Sequence, residues 1–540
     1  MMTSYPSGAV WLARVDHYHA SPSMSRRFYI TTPIYYPNGA PHLGHFYTTV
    51  CADVVARYHR LRGDETFFLT GTDWHGIKMV KSAEQAGVTP QQLAETNDQT
   101  FIDFWRETGI SFDDYIRTSE PRHKQSVAEI VKRMLASDDI YLGHYEGWYD
   151  EGQEEFITET EAKAAEYKSV VSGKPLVRYQ EPTYFFRLGK YAERVYRAIE
   201  TDELLIRPAA RKNEVLSKLR GWNADLSISR ATLKWGIPMP NDPDHVLYVW
   251  IDALSNYITA LGFGSEDESR LQRYWPADVQ LIGKEILWFH AVYWPAMLLS
   301  LGLPLPRSLV AHGWWTADGK KMSKSMGNFI DVEKLRSYSS RYGIDALRFY
   351  MLRAAPFGND LDFSEADFAK SYAELQKVLG NCLNRVAKML GRYRDGVVPA
   401  VSNTLEPIDQ QLIAQIDALP GAIDAAYDAL DLQQVVMLPI DLARATNGYV
   451  DATEPFKLAK DPAKAQRLDT VLHLSLQAIR RAVVALLPVL PTKAADALRQ
   501  LGEEVSGKSA ELLWQHLPLG HRIAEPQPLF PQVESVGGEA

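Results

Sequence analysis

Cysteine is almost missing from this chain: Cys51 and Cys382 are the whole supply among 540 residues. Two thiols so widely separated exclude a disulfide framework and a four-thiolate zinc site, and they fit a reducing, cytoplasmic setting. Long apolar runs are missing too, since none reaches the roughly eighteen residues a membrane-spanning helix needs. Positive charge is in deficit, with 58 Lys and Arg against 67 Asp and Glu and a formal net charge of −9. That balance argues against indiscriminate binding to nucleic acid, although a local basic face can coexist with an acidic whole. There is no internal repeat and no low-complexity tract. The first 25 residues lack the apolar centre of a signal peptide, because Arg14, Asp16, His17 and His19 interrupt it. Residues 1–25 are therefore expected to form a disordered tail, with Met24 as an alternative start. The whole chain is 46% hydrophobic and 23% charged, an ordinary globular composition in a chain long enough for two to four domains.

The first clear pattern is a strand followed by a helix. Phe28-Tyr29-Ile30-Thr31-Thr32-Pro33-Ile34-Tyr35-Tyr36 is β-branched and aromatic, and it ends at the turn formers Pro37-Asn38-Gly39. Downstream, Leu43, Phe46, Val50, Val54, Tyr58 and Leu61 recur at the spacing of one helix face, and Gly63 can close the helix. His42 and His45 thus fall at the first turn of a helix entered from a strand. Backbone N–H groups lack partners there, so an anion is welcome.

Thr66–Thr70 reads as a second strand, which makes a βαβ unit with the histidines at its first crossover. Residues 141–230 break the rhythm with aromatic, hairpin-like pieces at 145–149 and 182–186, and look like an insertion. Parallel-sheet signals return at Val246–Val249, Val279–Gly283 and Leu309–Gly313. An α/β doubly wound parallel sheet, split by an inserted domain, accounts for this and predicts a ligand crevice at the carboxyl ends of the strands. After about residue 365 strands vanish. Leu375, Leu379, Cys382, Val386 and Met389 form one apolar stripe, and amphipathic runs follow at 408–435, 436–451 and 465–500, which predicts a C-terminal α-helical bundle. Two stretches are locally basic: residues 207–230 carry six Lys or Arg against two acids, and residues 377–395 carry five against one. Either one by itself could be a solvated helical face.

A second short stretch bears on chemistry: Gly319-Lys320-Lys321-Met322-Ser323-Lys324-Ser325-Met326-Gly327-Asn328. It follows the last parallel strand and gathers cations, hydroxyls and glycines on a loop, a composition suited to phosphate oxygens. Alone, a lysine-rich loop is most often plain surface, and two histidines at a helix start are often only capping or packed groups.

Together they say more. His42-Leu43-Gly44-His45 at a first crossover and Lys321-Met322-Ser323-Lys324-Ser325 after a late strand resemble the two signatures of the class I aminoacyl-tRNA synthetases, and the methionyl family in particular. The resemblance runs from about residue 26 to about residue 515. Thr32–Gly39 resembles the family's entry strand, Gly71-Thr72-Asp73-Trp74-His75-Gly76 its second crossover, and Val249-Trp250-Ile251-Asp252-Ala253 its specificity helix. Gly283-Lys284-Glu285 through Phe289-His290 resembles its segment for ATP and the amino-acid side chain. Only about 275 residues separate the two signatures, too few for the large editing domain of the leucine, isoleucine and valine enzymes.

The resemblance implies a division into 26–140 and 231–330 (the halves of the catalytic domain), 141–230 (an inserted connective domain), 331–375 (a stem-contact region), 376–520 (a helical anticodon-binding domain) and a tail at 521–540. It implies activation of L-methionine by ATP with Mg2+, then transfer to initiator and elongator tRNA(Met). By the same resemblance His42, His45, Lys321 and Lys324 are catalytic, holding phosphate and pyrophosphate oxygens. Tyr36, Asn38, Gly44, Gly283, Glu285, Met322, Ser323 and Ser325 would bind ATP, with Gly44 leaving room for adenine. Ile34, Tyr36, Asp73, Trp250, Ala253, Leu254, Tyr257, Phe289 and His290 would bind methionine, with Asp73 on the ammonium and Tyr36, Tyr257 and His290 offering polar contacts near sulfur. Asn381, Arg385 and Phe456 would meet the anticodon, and Lys388 and Arg392 continue that face.

The chain also departs from the family. Many methionyl enzymes carry Cys-x-x-Cys pairs just after Gly-Trp-Tyr; here Gly147-Trp148-Tyr149 runs into Asp150-Glu151-Gly152-Gln153-Glu154-Glu155, so a form without structural zinc is expected. Glu285 stands where class I enzymes commonly have aspartate for the ribose, and the family's stacking tryptophan is Phe456. A monomer is expected, because no further dimerising domain follows the bundle. A small-metabolite nucleotidyltransferase with no RNA substrate is the alternative, because histidine pairs at a βα crossover serve there too.

Overall fold

In the computed structural model, strand β1 (Arg27–Tyr35) is followed by helix α1 (Leu43–Leu61), β2 (Glu65–Thr72), α2 (Ile77–Ala86), α3 (Pro90–Glu107), β3 (Asp114–Arg117) and α4 (Pro121–Ala136). The structure describes residues 26–152, 155–157, 159–322, 327–505 and 514–533, without the side chains of 155, 156, 179 and 321. Alternation of strand and helix yields a six-stranded sheet in the order β3–β2–β1–β5–β6–β4, where β4 is Leu205–Arg207, β5 Val279–Gly283 and β6 Ser308–His312. The pairs β2/β3, β1/β5, β5/β6 and β6/β4 are parallel. Asp73 N–H donates to the Tyr35 carbonyl at 2.8 Å, which brings the carboxyl ends of β1 and β2 together. Strand order reverses between β1 and β5, and a crevice opens at such a point.

Burial explains why these segments are strands. Tyr29, Leu69, Ile116, Ile206, Ile282 and Leu309 project from the sheet into one core with Val127, Ile130 and Val131 of α4 and with Ile251, Leu254 and Ile258 of α5 (Val249–Thr259). Strands covered on both faces need continuous rather than alternating apolar runs, which is why Val279–Gly283 is buried throughout.

Two expectations need correction. Val246–Val249 is not a parallel strand: Asp242–Leu247 pairs antiparallel with Pro238–Met239 and Ser229–Arg230 in a small separate sheet, and Val249 already starts α5. A short apolar run reports burial but not strand direction. The edge strand β4 instead comes from inside the range read as the insertion. Three residues are too few to show a period. The rest of that range holds an antiparallel sheet, in which Ile140–Asp150 pairs with Val177–Phe186 between Glu155–Ile157 and Leu226–Ser227, and the helices Glu159–Ala164, Leu188–Glu200 and Ala209–Leu219.

The chain divides into two compact units, one of residues 27–56 and 66–314, the other of residues 57–65 and 315 onward. In the second unit Trp315–Ala317 pairs with Lys320–Lys321 and with Leu361–Phe363. Helices follow, among them Asn381–Arg394, Pro407–Ala429, Leu432–Thr453 and Ala465–Ala485. Of the stripe at the head of this run, Leu375, Leu379, Cys382 and Val386 are buried, while Met389 is half-buried beside the buried Leu390.

Candidate active site

His42 and His45 sit where α1 begins, and their rings stack with centroids 3.7 Å apart. Gly44 N–H donates to His42 Nδ1 at 3.1 Å, which puts the proton of a neutral His42 ring on Nε2. A Cβ at Gly44 would lie 3.1 Å from His42 Cε1. The glycine therefore makes room for the neighbouring imidazole. His45 packs against Tyr35 and Phe101, and its Nδ1 is buried with no hydrogen-bond partner among the described residues. Burial, and then the charge of His42, push the His45 pKa well below its ordinary value. At neutral pH His45 is thus a neutral group that can donate a hydrogen bond to phosphate without the cost of a buried charge.

One turn along α1, Thr48 Oγ1 lies 2.7 Å from His312 Nε2, at the end of β6. His312 Nδ1 donates to the Gly313 carbonyl at 2.8 Å. Beside it, at the carboxyl end of β5, Gly283 is buried and Glu285 is exposed. Asn38 is exposed in the turn before α1, and Tyr36 is half-buried with Lys78 Nζ 5.1 Å from its ring centroid.

The aromatic residues expected to hold a side chain do assemble. Trp250 and Phe289 stack at 3.8 Å with an interplanar angle of 8°, and Trp250 meets His290 edge-on at 6.2 Å. Ile34, Tyr36 and Trp250 are partly buried against the core that contains Leu254, Tyr257 and Phe289, and Ala253, next to Leu254 on α5, is buried as well. The buried indole N–H of Trp250 has no partner among the described residues. His290 Nδ1 lies 2.9 Å from the Ile286 carbonyl and must donate to it, so Nε2 accepts from the Tyr257 hydroxyl at 2.7 Å. Both polar groups are therefore engaged with each other. A thioether arriving here meets polarisable rings and one indole N–H, the contact sulfur favours.

Asp73 lies just beyond β2 and is 2% exposed. Its Oδ1 accepts from the His75 backbone N–H and from Thr118 Oγ1, each at 3.1 Å. Close by, Asp252 on α5 accepts from His75 Nδ1 at 2.5 Å and from His123 Nε2 at 2.7 Å, and His123 Nδ1 reaches Thr259 Oγ1 at 2.7 Å. Burial alone would raise the Asp252 pKa, but His75 and His123 outweigh it and hold the carboxyl below its usual range. One ligand atom each from Asp73, His75 and Asp252 lies within 4.8 Å of the others. His75 links the two carboxylates, bonding to Asp252 through its ring and to Asp73 through its backbone N–H.

In the second unit Lys321 lies on a hairpin strand and Met322 is half-buried; the Lys321 side chain and residues 323–326, with Ser323, Lys324 and Ser325, fall outside the described residues. Asn381, Lys388 and Arg392 are exposed along one helix, Arg385 is half-buried and pairs with Asp451 at 2.6 Å, and Phe456 is 45% exposed. Sequence reasoning gave no role to Thr48, His75, His123, Asp252, His312 or Trp314. Glycine and histidine beside Asp73 were the one local signal, and the remaining partners lie far along the chain.

The fold and these groups define a class, the class I aminoacyl-tRNA synthetases. The family model described as "tRNA synthetases class I (M)" matches residues 28–165 and 160–387. The methionine--tRNA ligase of Halalkalibacterium halodurans is 42% identical over 94% of this chain and 79% of its own length; that of Bacillus subtilis is 40% identical over 95% and 79%. The Mycobacterium tuberculosis methionyl-tRNA synthetase solved in complex with methionyl-adenylate superposes with a TM-score of 0.89 at 37% identity, over 94% of this chain and all of that one. The chain belongs to the methionyl-tRNA synthetase family.

Burial lowers the His290 pKa from its ordinary 6.5 to about 4. As pH falls, the unfolded chain takes up this proton first, so the contribution to stability is complete above about pH 6.5 and is lost on the way down to about 4. Urea unfolding followed by tryptophan fluorescence should show the parent losing about 2 kcal/mol more than His290→Gln between pH 7.5 and 5.0. Equal losses in the two proteins would remove His290 from this account.

Proposed function

We propose that this protein activates L-methionine with ATP and transfers the methionyl group to tRNA(Met), for initiation and elongation of translation. The methionine carboxylate attacks the α-phosphorus of ATP, forming methionyl-adenylate and releasing pyrophosphate. A terminal ribose hydroxyl of tRNA then attacks the carbonyl of the mixed anhydride and AMP leaves. The observation that carries this reading is the arrangement in one unit: stacked imidazoles at the start of α1 and the buried Asp73 carboxylate at the carboxyl ends of neighbouring strands, with the stacked Trp250 and Phe289 rings in the same unit. Family membership extending into the helical region leaves a nucleotidyltransferase without RNA unsupported.

Each group has a task its chemistry allows. Asp73 binds the substrate ammonium and turns the carboxylate towards phosphorus. Trp250 and Phe289 surround the thioether, with Ile34, Ala253, Leu254 and Tyr257 fixing the shape. His42 and His45 donate to phosphate oxygens where negative charge grows, so that displacement proceeds by positioning and charge stabilisation. Glu285 accepts from the ribose. Lys321 and Lys324, assigned by the family motif, neutralise the departing pyrophosphate. Magnesium carried in with ATP offsets charge on the phosphate chain. Asn381, Arg385 and Phe456 read the anticodon, with Phe456 as the stacking surface.

Just after Gly147-Trp148-Tyr149, where the family's cysteine pairs begin, a turn is closed by Asp150 Oδ1, which accepts from Gly152 N–H at 2.8 Å; further along the insertion Ser169 Oγ closes another by accepting from Val171 and Ser172 N–H. These oxygen-to-backbone bonds do the work of turn closure without thiolates, and they support the reading that no structural zinc is held there. The enzyme is further read as a cytoplasmic monomer. Its described helices include none long and apolar enough to cross a membrane.

ATP–pyrophosphate exchange measured across the amino acids should respond to methionine alone, and Asp73→Ala should raise the methionine KM by roughly ten- to a hundredfold. An unchanged KM in that variant would take Asp73 out of the site. Metal analysis of purified protein is expected to return well below one equivalent of zinc; one tightly held equivalent contradicts the zinc-free reading. Phe456→Ala should weaken methionylation at limiting tRNA by about tenfold, in line with about 1–3 kcal/mol per stacked base; parent-like methionylation would show that Phe456 is not the stacking surface.

A further inference from the structure

Glu285 reaches one methylene further than the aspartate common in its class, so its carboxylate needs a fixed end if it is to meet a hydroxyl at a set place. Three features around it provide one. The carboxylate folds back over Gly283, where a Cβ would lie 2.5 Å from Oε1 and 2.6 Å from Oε2; any larger residue would expel it. Trp314, just past the end of β6, donates its indole N–H to Glu285 Oε2 at 2.9 Å. Lys284 Nζ lies 4.2 Å from the Trp314 ring centroid, steadying the ring by a cation–π contact. Trp314 itself is 40% exposed. A tryptophan left in solvent at the carboxyl edge of β5 and β6, directing its one donor to an exposed glutamate, is not explained by core packing.

We propose that Trp314 is a positioning residue of the nucleotide site: by holding Oε2 of Glu285 it aims the carboxylate at the ribose hydroxyls of ATP and sets the preference for ribo- over deoxyribonucleotide. The inference rests on Glu285 being the ribose acceptor, as read above. An indole N–H only donates, on a rigid ring, so it fixes the orientation of its acceptor more firmly than a hydroxyl or water would. Without it, an exposed glutamate spreads over its rotamers and loses that freedom again only when ATP binds. A group held in place to accept from a substrate hydroxyl rejects the analogue that lacks it more strongly than a mobile one does.

The test compares ATP with 2′-deoxy-ATP and 3′-deoxy-ATP in methionine-dependent pyrophosphate exchange, using the full chain and the variants Trp314→Phe, Trp314→His and Glu285→Ala. Trp314→Phe keeps a ring against Lys284 but has no N–H. It should raise the ATP KM roughly three- to tenfold and lower the ribo-to-deoxyribo ratio of kcat/KM by a similar factor, with the methionine KM and the melting temperature as in the parent. Trp314→His, which keeps a ring N–H, should recover part of the ratio. If Glu285→Ala abolishes the preference while Trp314→Phe keeps the parental ratio, the positioning role of Trp314 is overturned and the ribose reading stands. If Glu285→Ala itself keeps the preference, the ribose reading falls and the inference falls with it.

Discussion

The α/β unit depends on one buried charge being shared. Asp252 is 1% exposed, and its position is tolerable only because two imidazoles from different elements donate to its two oxygens. His75 comes from the turn between β2 and α2, His123 from α4, and Asp252 from α5. That single carboxylate therefore fixes the helix carrying Trp250 and Tyr257 against the turn carrying Asp73. The segments carrying Trp250 and Asp73 are held at a set separation because they share one hydrogen-bonded chain.

The polar groups beside Trp250 and Phe289 are thoroughly committed to one another. Tyr257 and His290 satisfy one another, His290 also satisfies the Ile286 carbonyl, and Tyr29 donates to the Tyr257 carbonyl. An arriving hydroxyl or charged side chain would find Tyr257 and His290 already taken, with only the Trp250 indole N–H left to offset its desolvation. Shape and ring contact are what remain, and they suit sulfur. The start of α1 shows the same economy. Burial keeps His45 neutral, and His42 is oriented by the N–H of the glycine between them.

Much of this frame was legible in the chain. A β-branched strand ending in turn formers and a helix of strict period placed His42 and His45 at a crossover, because both patterns are local consequences of backbone geometry. The helical region was legible for the same reason. Val246–Val249 was misread because burial gives the same apolar run to a parallel strand, an antiparallel strand and the start of a helix. Leu205–Arg207 escaped notice because its place in the sheet is decided by its neighbours. Gly44 was read as space for a ligand, yet its immediate neighbour is the His42 ring.

What the sequence determined by itself was the set of elements, the two signature stretches and the absence of thiolate ligands, all of which depend on residues close together along the chain. Only the tertiary structure decided how the polar groups pair. Asp252 with His75 and His123, His290 with Tyr257, His312 with Thr48, and Trp314 with Glu285 are contacts between distant segments; the first three exist because folding removes water and leaves buried donors needing acceptors, and the last because the ends of β5 and β6 bring two exposed side chains together. Local pattern carries no record of which distant group answers that need.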